Sequence, residues 1–314
     1  MSKKGYDLLC VGDLNVDIIF AGLERLPELG TEALAEDLSL RVGGSTANVA
    51  AFVAQLGMKV AMVARVGMDL YGEFALRETV DLGVDIRHIR ADGALKTGAS
   101  AALSTREDRA FVTYLGSIAG VRREDIGDEL LASSRHLHVG SFFLQDRLRP
   151  HTQGLLRSAR AVGATVSLDP GYDPRNRWDS GLKESLAHVD VFLPNDIEAM
   201  RITERGSIPE AGAALTERCR TVAIKAGAEG AWGFQGEETI HLLPPEVTVV
   251  ETTACGDAFN AGFLFAFLTG RSLAECLAAG NLCGATMATV PGNQAKLLGS
   301  AEVQAGLRSI FAGG

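Results

Sequence analysis

The chain has 314 residues, 46% hydrophobic and 22% charged, which suits one large soluble domain with a sizeable core. Its net charge of −9 argues against a nucleic-acid partner. Asp7, Asp13, Asn15 and Asp17 break the first apolar run too early for a signal peptide or membrane span, and five cysteines without a C-x-x-C pair or histidine cluster fit a reducing cytoplasm better than disulfides or zinc.

Tyr6–Val11 is a short apolar run ending at Gly12 and reads as a buried strand. Ile18–Val42 lacks helical periodicity and is strand-like. Ser45–Leu56 has small and apolar residues at helical spacing, with Gly57 as its stop. Val60–Val66 reads as the next strand and Tyr71–Leu82 as a helix ending at Gly83. Thr97–Leu115 is again strand-like, with alternation at Ala101–Ser104 and Phe111–Tyr114. Leu137–Val139, Thr165–Leu168 and Val189–Leu193 read as strands, and Arg149–Val162 and Asp196–Thr203 as helices. Thr221–Lys225 and Ala231–Phe234 are strands around a glycine-rich turn, and Val247–Val250 is a strand leading into a final motif. Strand–helix alternation predicts an α/β layered fold with a mostly parallel sheet. The regions 18–42 and 97–115 form either a small β element over the sheet or ordinary surface hairpins.

Five constellations carry chemistry. Asn15-Val16-Asp17 follows the first strand, and residues two apart on extended chain share a side at the carboxyl edge where ligands bind in open α/β sheets. Gly43-Gly44 precedes a helix whose first turns hold Asn48, an amide able to read a hydroxyl. Asn195 and Glu198 are three apart, which fits a capping box and equally a hydrated magnesium ion. Lys225, Gly227 and Gly230 mark a turn that lets backbone approach a nucleotide. In Glu251-Thr252-Thr253-Ala254-Cys255-Gly256-Asp257, small residues lead into a lone carboxylate at a helix start. The unpartnered N–H groups there bind anions, so Asp257 is either a helix N-cap or a base beside a phosphate cradle. The sequence has no G-x-x-x-x-G-K-[ST], no G-x-G-x-x-G after the first strand and no G-x-S-x-G. This argues against P-loop, dinucleotide-binding and hydrolase readings. His136 and His138 read as structural strand residues.

Gly43-Gly44-x-x-x-Asn48, Asn195-x-x-Glu198 and Thr252-Thr253-Ala254-Cys255-Gly256-Asp257, in this order over essentially the whole chain, resemble the ribokinase-like (PfkB) carbohydrate kinase family. The resemblance implies a three-layer fold spanning residues 1–314, with a sheet of about nine strands and a β lid from about 18–42 and 97–115. It implies transfer of the γ-phosphoryl of ATP to a sugar hydroxyl, with a nucleoside kinase or a non-catalytic sensor as alternatives. Asp257 would be the base, and the N–H groups of Ala254, Cys255, Gly256 and Asp257 the anion hole. Asn15, Asp17, Gly43, Gly44 and Asn48 would hold the acceptor, and Lys225, Gly227, Gly230 and Asn281 the nucleotide. Asn195 and Glu198 would hold Mg²⁺ through water. Glu251, Thr253 and carbonyls of Ala288–Asn293 would hold a monovalent cation such as K⁺, and a homodimer would form through the lid. Several positions depart from the family pattern. Glu251 stands for Asp, Ala254 for Gly and Cys255 for Ala, and Ser45-Thr46 replaces Lys-Gly. After the Asp169-Pro170-Gly171 run the expected arginine is not at Asp173, and Arg175 and Arg177 are the candidates to substitute for it.

Overall fold

The computed structural model describes residues 4–105, 109–290 and 301–312. In chain order the first half forms β1 (Tyr6–Val11), β2 (Asn15–Leu23), β3 (Asp37–Gly43), α1 (Ser45–Gln55), β4 (Val60–Val63), β5 (Arg65–Gly67), α2 (Leu70–Asp81), β6 (Arg90–Asp92), β7 (Gly98–Thr105) and β8 (Arg109–Tyr114). Then follow α3 (Asp128–Ala132), β9 (Ser134–Val139), α4 (Thr152–Ala161), β10 (Thr165–Leu168), α5 (Leu182–Leu186), β11 (Val191–Phe192), α6 (Asp196–Thr203) and α7 (Ile208–Thr216). The chain closes with β12 (Thr221–Lys225), β13 (Ala231–Gln235), β14 (Glu238–Leu242), α8 (Cys255–Leu268), α9 (Leu273–Ala288) and α10 (Ala301–Ala312).

Eight strands form the main sheet in the order β14-β13-β12-β11-β10-β9-β1-β4. The ladders from β4 across to β12 are parallel, and β13 and β14 close one edge antiparallel. Strand periodicity builds the layers directly. Leu8 and Cys10 of β1 face a core with α1, α8 and α9, while Leu9 and Val11 face a second core with helices α3 to α7. All four are fully buried, so β1 reads as one continuous apolar run.

β2, β3, β7 and β8 form a separate four-stranded sheet in the order β3-β2-β7-β8. It starts at Asn15, earlier than the strand-like region read from sequence, and residues 106–108 between β7 and β8 lie outside the described residues. Register places Asn15, Asp17, Arg41, Ser100 and Thr113 on one face of this sheet. Ile18, Leu40, Ala101, Val112 and Tyr114 fall on the other.

Several expected elements differ. The run Val60–Val66 breaks at Ala64, because β5 leaves the main sheet to pair with β6. Val247–Val250 forms no strand. Pro244 and Pro245 upstream lack N–H donors for a ladder, and Val247 and Val249 instead line a cavity. The expected helix at 149–162 begins as a 3₁₀ turn at Arg149–His151 before α4. The main sheet has eight strands among the described residues, against the about nine that the resemblance implied.

Candidate active site

A cavity of about 1060 Å³ opens where the parallel strands end. Its floor comes from residues just past β1, β9, β10, β11 and β12, and the polar face of the second sheet (Asp17, Ser100, Thr113) forms one wall. The α8 N-terminus and the Pro244–Val249 segment form the other side. This is the carboxyl-edge crevice at which open α/β sheets bind ligands.

Asp257 is the third residue of α8 and not its cap; Ala254 holds the cap position in the left-handed region, at φ 59. The turn keeps a glycine-like conformation at a cost of about 1–2 kcal/mol. Both carboxylate oxygens of Asp257 are held from α1. Ser45 Oγ donates to Oδ1 at 2.6 Å and Asn48 Nδ2 donates to Oδ2 at 2.7 Å. Protein surrounds the group except where it opens onto the cavity. Burial therefore pushes its pKa up to about 7, Asp169 adds to the rise, and the Ser45 and Asn48 bonds oppose it. The N–H groups of Gly256 and Asp257 have no acceptor among the described residues, while that of Cys255 reaches Thr252 O at 3.4 Å.

The N-terminus of α1 is capped from far away in sequence. Asp13 accepts from Ser45 N at 2.9 Å and from Thr46 N at 3.0 Å, and it also binds the Thr46 hydroxyl. Gly44 sits at φ 101, which only glycine adopts readily, and a Cβ on Gly43 would collide with Asp17 Oδ1. Asn15 Nδ2 donates to Asp17 Oδ1 at 2.9 Å, so the two polar residues of β2 act as a pair. Burial, reinforced by the charge of Asp13, raises the Asp17 pKa to about 6.

Lys225 lies in the floor. Its ammonium donates to Asp169 Oδ2 at 2.8 Å, to Leu193 O at 2.7 Å and to Asn260 Oδ1 at 3.1 Å, which uses all three of its protons. Asn260 Nδ2 returns a bond to Asp169 Oδ2 at 2.6 Å, so a closed polar triangle ties β10, β12 and α8 together. Burial opposes charge on both partners, but their mutual attraction wins: the Lys225 pKa stays raised and the Asp169 pKa lowered.

Asn195 and Glu198 form the reciprocal capping box of α6, each bond 2.8 Å long. Glu198 is 5% exposed. Burial and the neighbouring Asp169 raise its pKa to about 7. One of its oxygens caps the helix, and the cavity around it is short of positive charge. That donor set fits a hydrated divalent ion shared with a ligand's phosphates better than an all-protein cage, and the described residues hold no cluster of three metal-binding side chains. Gly227 and Gly230 line the cavity, but their positive φ angles already meet the needs of the β12–β13 turn. Asn281 lines it from α9 and donates to Leu242 O at 2.8 Å.

Of the expected monovalent-cation ligands, Glu251 and Thr253 hydrogen-bond to each other, and Ala288 O accepts from Val250 N and Glu251 N. Pro291, Gly292 and Asn293 lie outside the described residues. Arg175 does not enter the site; its guanidinium pairs with Asp146 through bonds of 2.7 and 2.6 Å. His136 and His138 are buried, held by Thr165 and Ser167, and desolvated to pKa values of about 3 and 4. Asp13, Ser45 and Asn260 escaped the sequence reading. The signal for Asp13 was an acidic residue just past a strand and glycine; nothing local marks the other two.

A model of the pfkB family of carbohydrate kinases matches residues 6–298. An ATP-dependent ribose-1-phosphate kinase of Halopiger xanaduensis is 32% identical over 285 residues, covering 90% of this chain and 91% of that protein. The crystal structure of a probable sugar kinase from Rhizobium etli superposes with a TM-score of 0.85 at 25% identity over 98% of this chain and all of that one. That of adenosine kinase from Sinorhizobium meliloti does so with a TM-score of 0.83 at 26% identity, over 96% and 99% of the two chains. By its sequence, its sheet order and its carboxyl-edge cavity, the chain belongs to the pfkB family of carbohydrate kinases.

Proposed function

We propose that this enzyme transfers the γ-phosphoryl group of ATP to a hydroxyl of a neutral sugar or nucleoside, with Asp257 as the base. The observation that carries the reading is the pairing at the start of α8. A carboxylate poised near pH 7 stands one residue beyond N–H groups that have no acceptor. A base tuned near the working pH removes the hydroxyl proton efficiently. The N–H groups of 254–257 face the charge that grows on the transferring phosphoryl, the largest single source of stabilisation in such chemistry. Asn15, Asp17 and the glycine pair hold the acceptor against Asp257. Asn281, Gly227 and Gly230 border the nucleotide, and Lys225 acts on it through charge alone, its protons being already engaged.

Asn195 and Glu198 would hold a hydrated Mg²⁺, and the ion would neutralise charge on the phosphates. The second sheet closes over the acceptor as a lid. A neutral acceptor is supported by the lining among the described residues, which has six carboxylates (Asp13, Asp17, Asp169, Asp196, Glu198, Asp257) against one cation, Lys225. Phe111 and Tyr172, both more than half exposed on the cavity wall, favour an acceptor with a flat group, as in a nucleoside. The buried thiols of Cys10, Cys219, Cys276 and Cys283 support a reducing compartment, the cytoplasm; among the described residues no helix is long and apolar enough to cross a membrane.

A coupled ADP assay over ribose, ribose 1-phosphate, 2-dehydro-3-deoxygluconate and adenosine tests the acceptor class. Turnover confined to the anionic compounds, ribose 1-phosphate and 2-dehydro-3-deoxygluconate, would overturn the neutral-acceptor reading, and tight binding without any turnover would favour a sensor. A K⁺ ion at Glu251 and Thr253 is part of the proposal, and equal rates in K⁺ and Na⁺ remove it.

A further inference from the structure

The contact between α1 and α8 carries more than support for the base. Asn48 Nδ2 is a donor that cannot give up its proton at neutral pH, and it occupies Oδ2 of Asp257 at 2.7 Å. Oδ1 is therefore the oxygen left to receive a proton. In this structure Oδ1 already accepts one hydrogen bond, from Ser45 Oγ at 2.6 Å. That separation is the one required between a base and the hydroxyl it activates.

The backbone of Ser45 is held there firmly, while its side chain keeps one free rotation. Ser45 is the first residue of α1, its backbone N is tied to Asp13 Oδ2, and it follows Gly44, whose φ of 101 sets the turn. It also lines the cavity, as Asp17 and Gly256 do. It stands where a residue of another kind, lysine, occurs in the family pattern described above.

We propose that Ser45 stands in for the acceptor hydroxyl: in the acceptor-free enzyme its Oγ–H occupies Oδ1 of Asp257 and withholds the base from water. This rests on the reading of Asp257 as the base. Hydrolysis of bound ATP needs a water whose oxygen bonds to the γ-phosphorus as the bond to the bridging oxygen of ADP breaks. The water's proton passes to Asp257. With the Ser45 hydroxyl on Oδ1 that water has no base. A true acceptor displaces Ser45 by one side-chain rotation, since serine moves between staggered rotamers freely. The guard therefore suppresses wasteful hydrolysis and competes weakly with the acceptor.

The test is Ser45→Ala, with Ser45→Thr as the variant that keeps the hydroxyl. Two readouts are taken. One is hydrolysis of Mg-ATP without acceptor; the other is KM for whichever panel compound the wild type phosphorylates. Ser45→Ala is expected to raise hydrolysis by about tenfold and lower the acceptor KM several-fold, the size of one hydrogen bond to a charged group. Ser45→Thr is expected to keep hydrolysis near the wild-type rate. A gain in both readouts is not produced by loss of a structural contact. Flat hydrolysis with an unchanged or raised KM overturns the proposal while leaving the kinase reading intact. Phosphoserine at position 45 by mass spectrometry also overturns it, because the hydroxyl would then be a substrate. Full turnover in Asp257→Asn would instead remove Asp257 as the base, on which the guard rests, and no turnover of any acceptor by the wild type would sink the kinase reading itself.

Discussion

Asp257 is the proposed base, and its environment gives a two-part prediction. Asp257→Asn should cut turnover by orders of magnitude while ATP binding stays largely intact; near-normal kcat would exclude it as the base. The same variant should stabilise the fold at alkaline pH. The folded pKa of about 7 lies above the ordinary carboxylate value of 3.8. The native state therefore holds a proton that the unfolded state has lost between those values, and stability contributed by this group falls as pH rises from about 4 to 7. Replacing it with an amide removes that loss. The gain is about 1–2 kcal/mol at pH 8, after discounting for water in the cavity, and near zero at pH 4. Denaturant melts at both pH values check this. The acid limb of kcat should fall near pH 7 for the same reason, and a limb near pH 4 would contradict the raised pKa.

Two loop residues sharpen the picture. Ala254→Gly should stabilise by about 1 kcal/mol, because the left-handed turn then carries no Cβ penalty. Gly256→Ala should fold at least as well, since a Cβ there has Lys225 Cδ 3.9 Å away as its nearest neighbour and helical alanine is favoured. Its turnover should still collapse if phosphoryl oxygens approach that backbone. Normal kcat in Gly256→Ala would remove the N–H cradle from the mechanism.

At the scale of elements, the second sheet has two unlike faces. One presents Asp17, Ser100 and Thr113 to the cavity, with Ser100 Oγ and Thr113 Oγ1 hydrogen-bonded at 2.9 Å. The other presents Leu38, Leu40, Val112 and Tyr114, each between 41% and 66% exposed. An apolar sheet face of this kind favours cover by a second copy of the chain. Light scattering should find a dimer at micromolar concentration, and Leu40→Glu with Val112→Glu should give monomers. A wild-type monomer would dispose of the dimer. Element identity itself was largely legible. β1 and α1 announced themselves by apolar runs and a glycine stop, whereas α9 did not. Its small residues pack closely against α8, so no polar face marks a helix, and only Ser272 and Glu275 signal its capping box.

At the scale of the molecule, the main sheet carries the site at its carboxyl edge, and Lys225, Asp169 and Asn260 fasten three elements beneath it. Lys225→Met should destabilise by about 3–5 kcal/mol, since it leaves Asp169 buried without its cation. Lys225→Met with Asp169→Asn should recover much of that loss, and equal instability of the single and double variants would contradict the pairing. An unreactive ATP analogue with Mg²⁺ at one hundred times its Kd should add about 2.7 kcal/mol.

The sequence by itself determined the layered α/β fold and the family, and it named most of the candidate site, because glycine turns, helix starts and apolar runs are local properties written in adjacent residues. It also marked Asp257, Asn48 and Glu198, whose spacing from their neighbours is short. The tertiary structure alone decided what those groups touch. Asp13 caps a helix from 32 residues away, Ser45 reaches Asp257 across 212 positions, and Lys225 meets Asp169 across 56. Such bonds depend on which strand ends and helix starts converge at one edge of the sheet. Protonation follows the same rule, because burial and neighbouring charge come from the assembled fold and leave no trace in the local sequence.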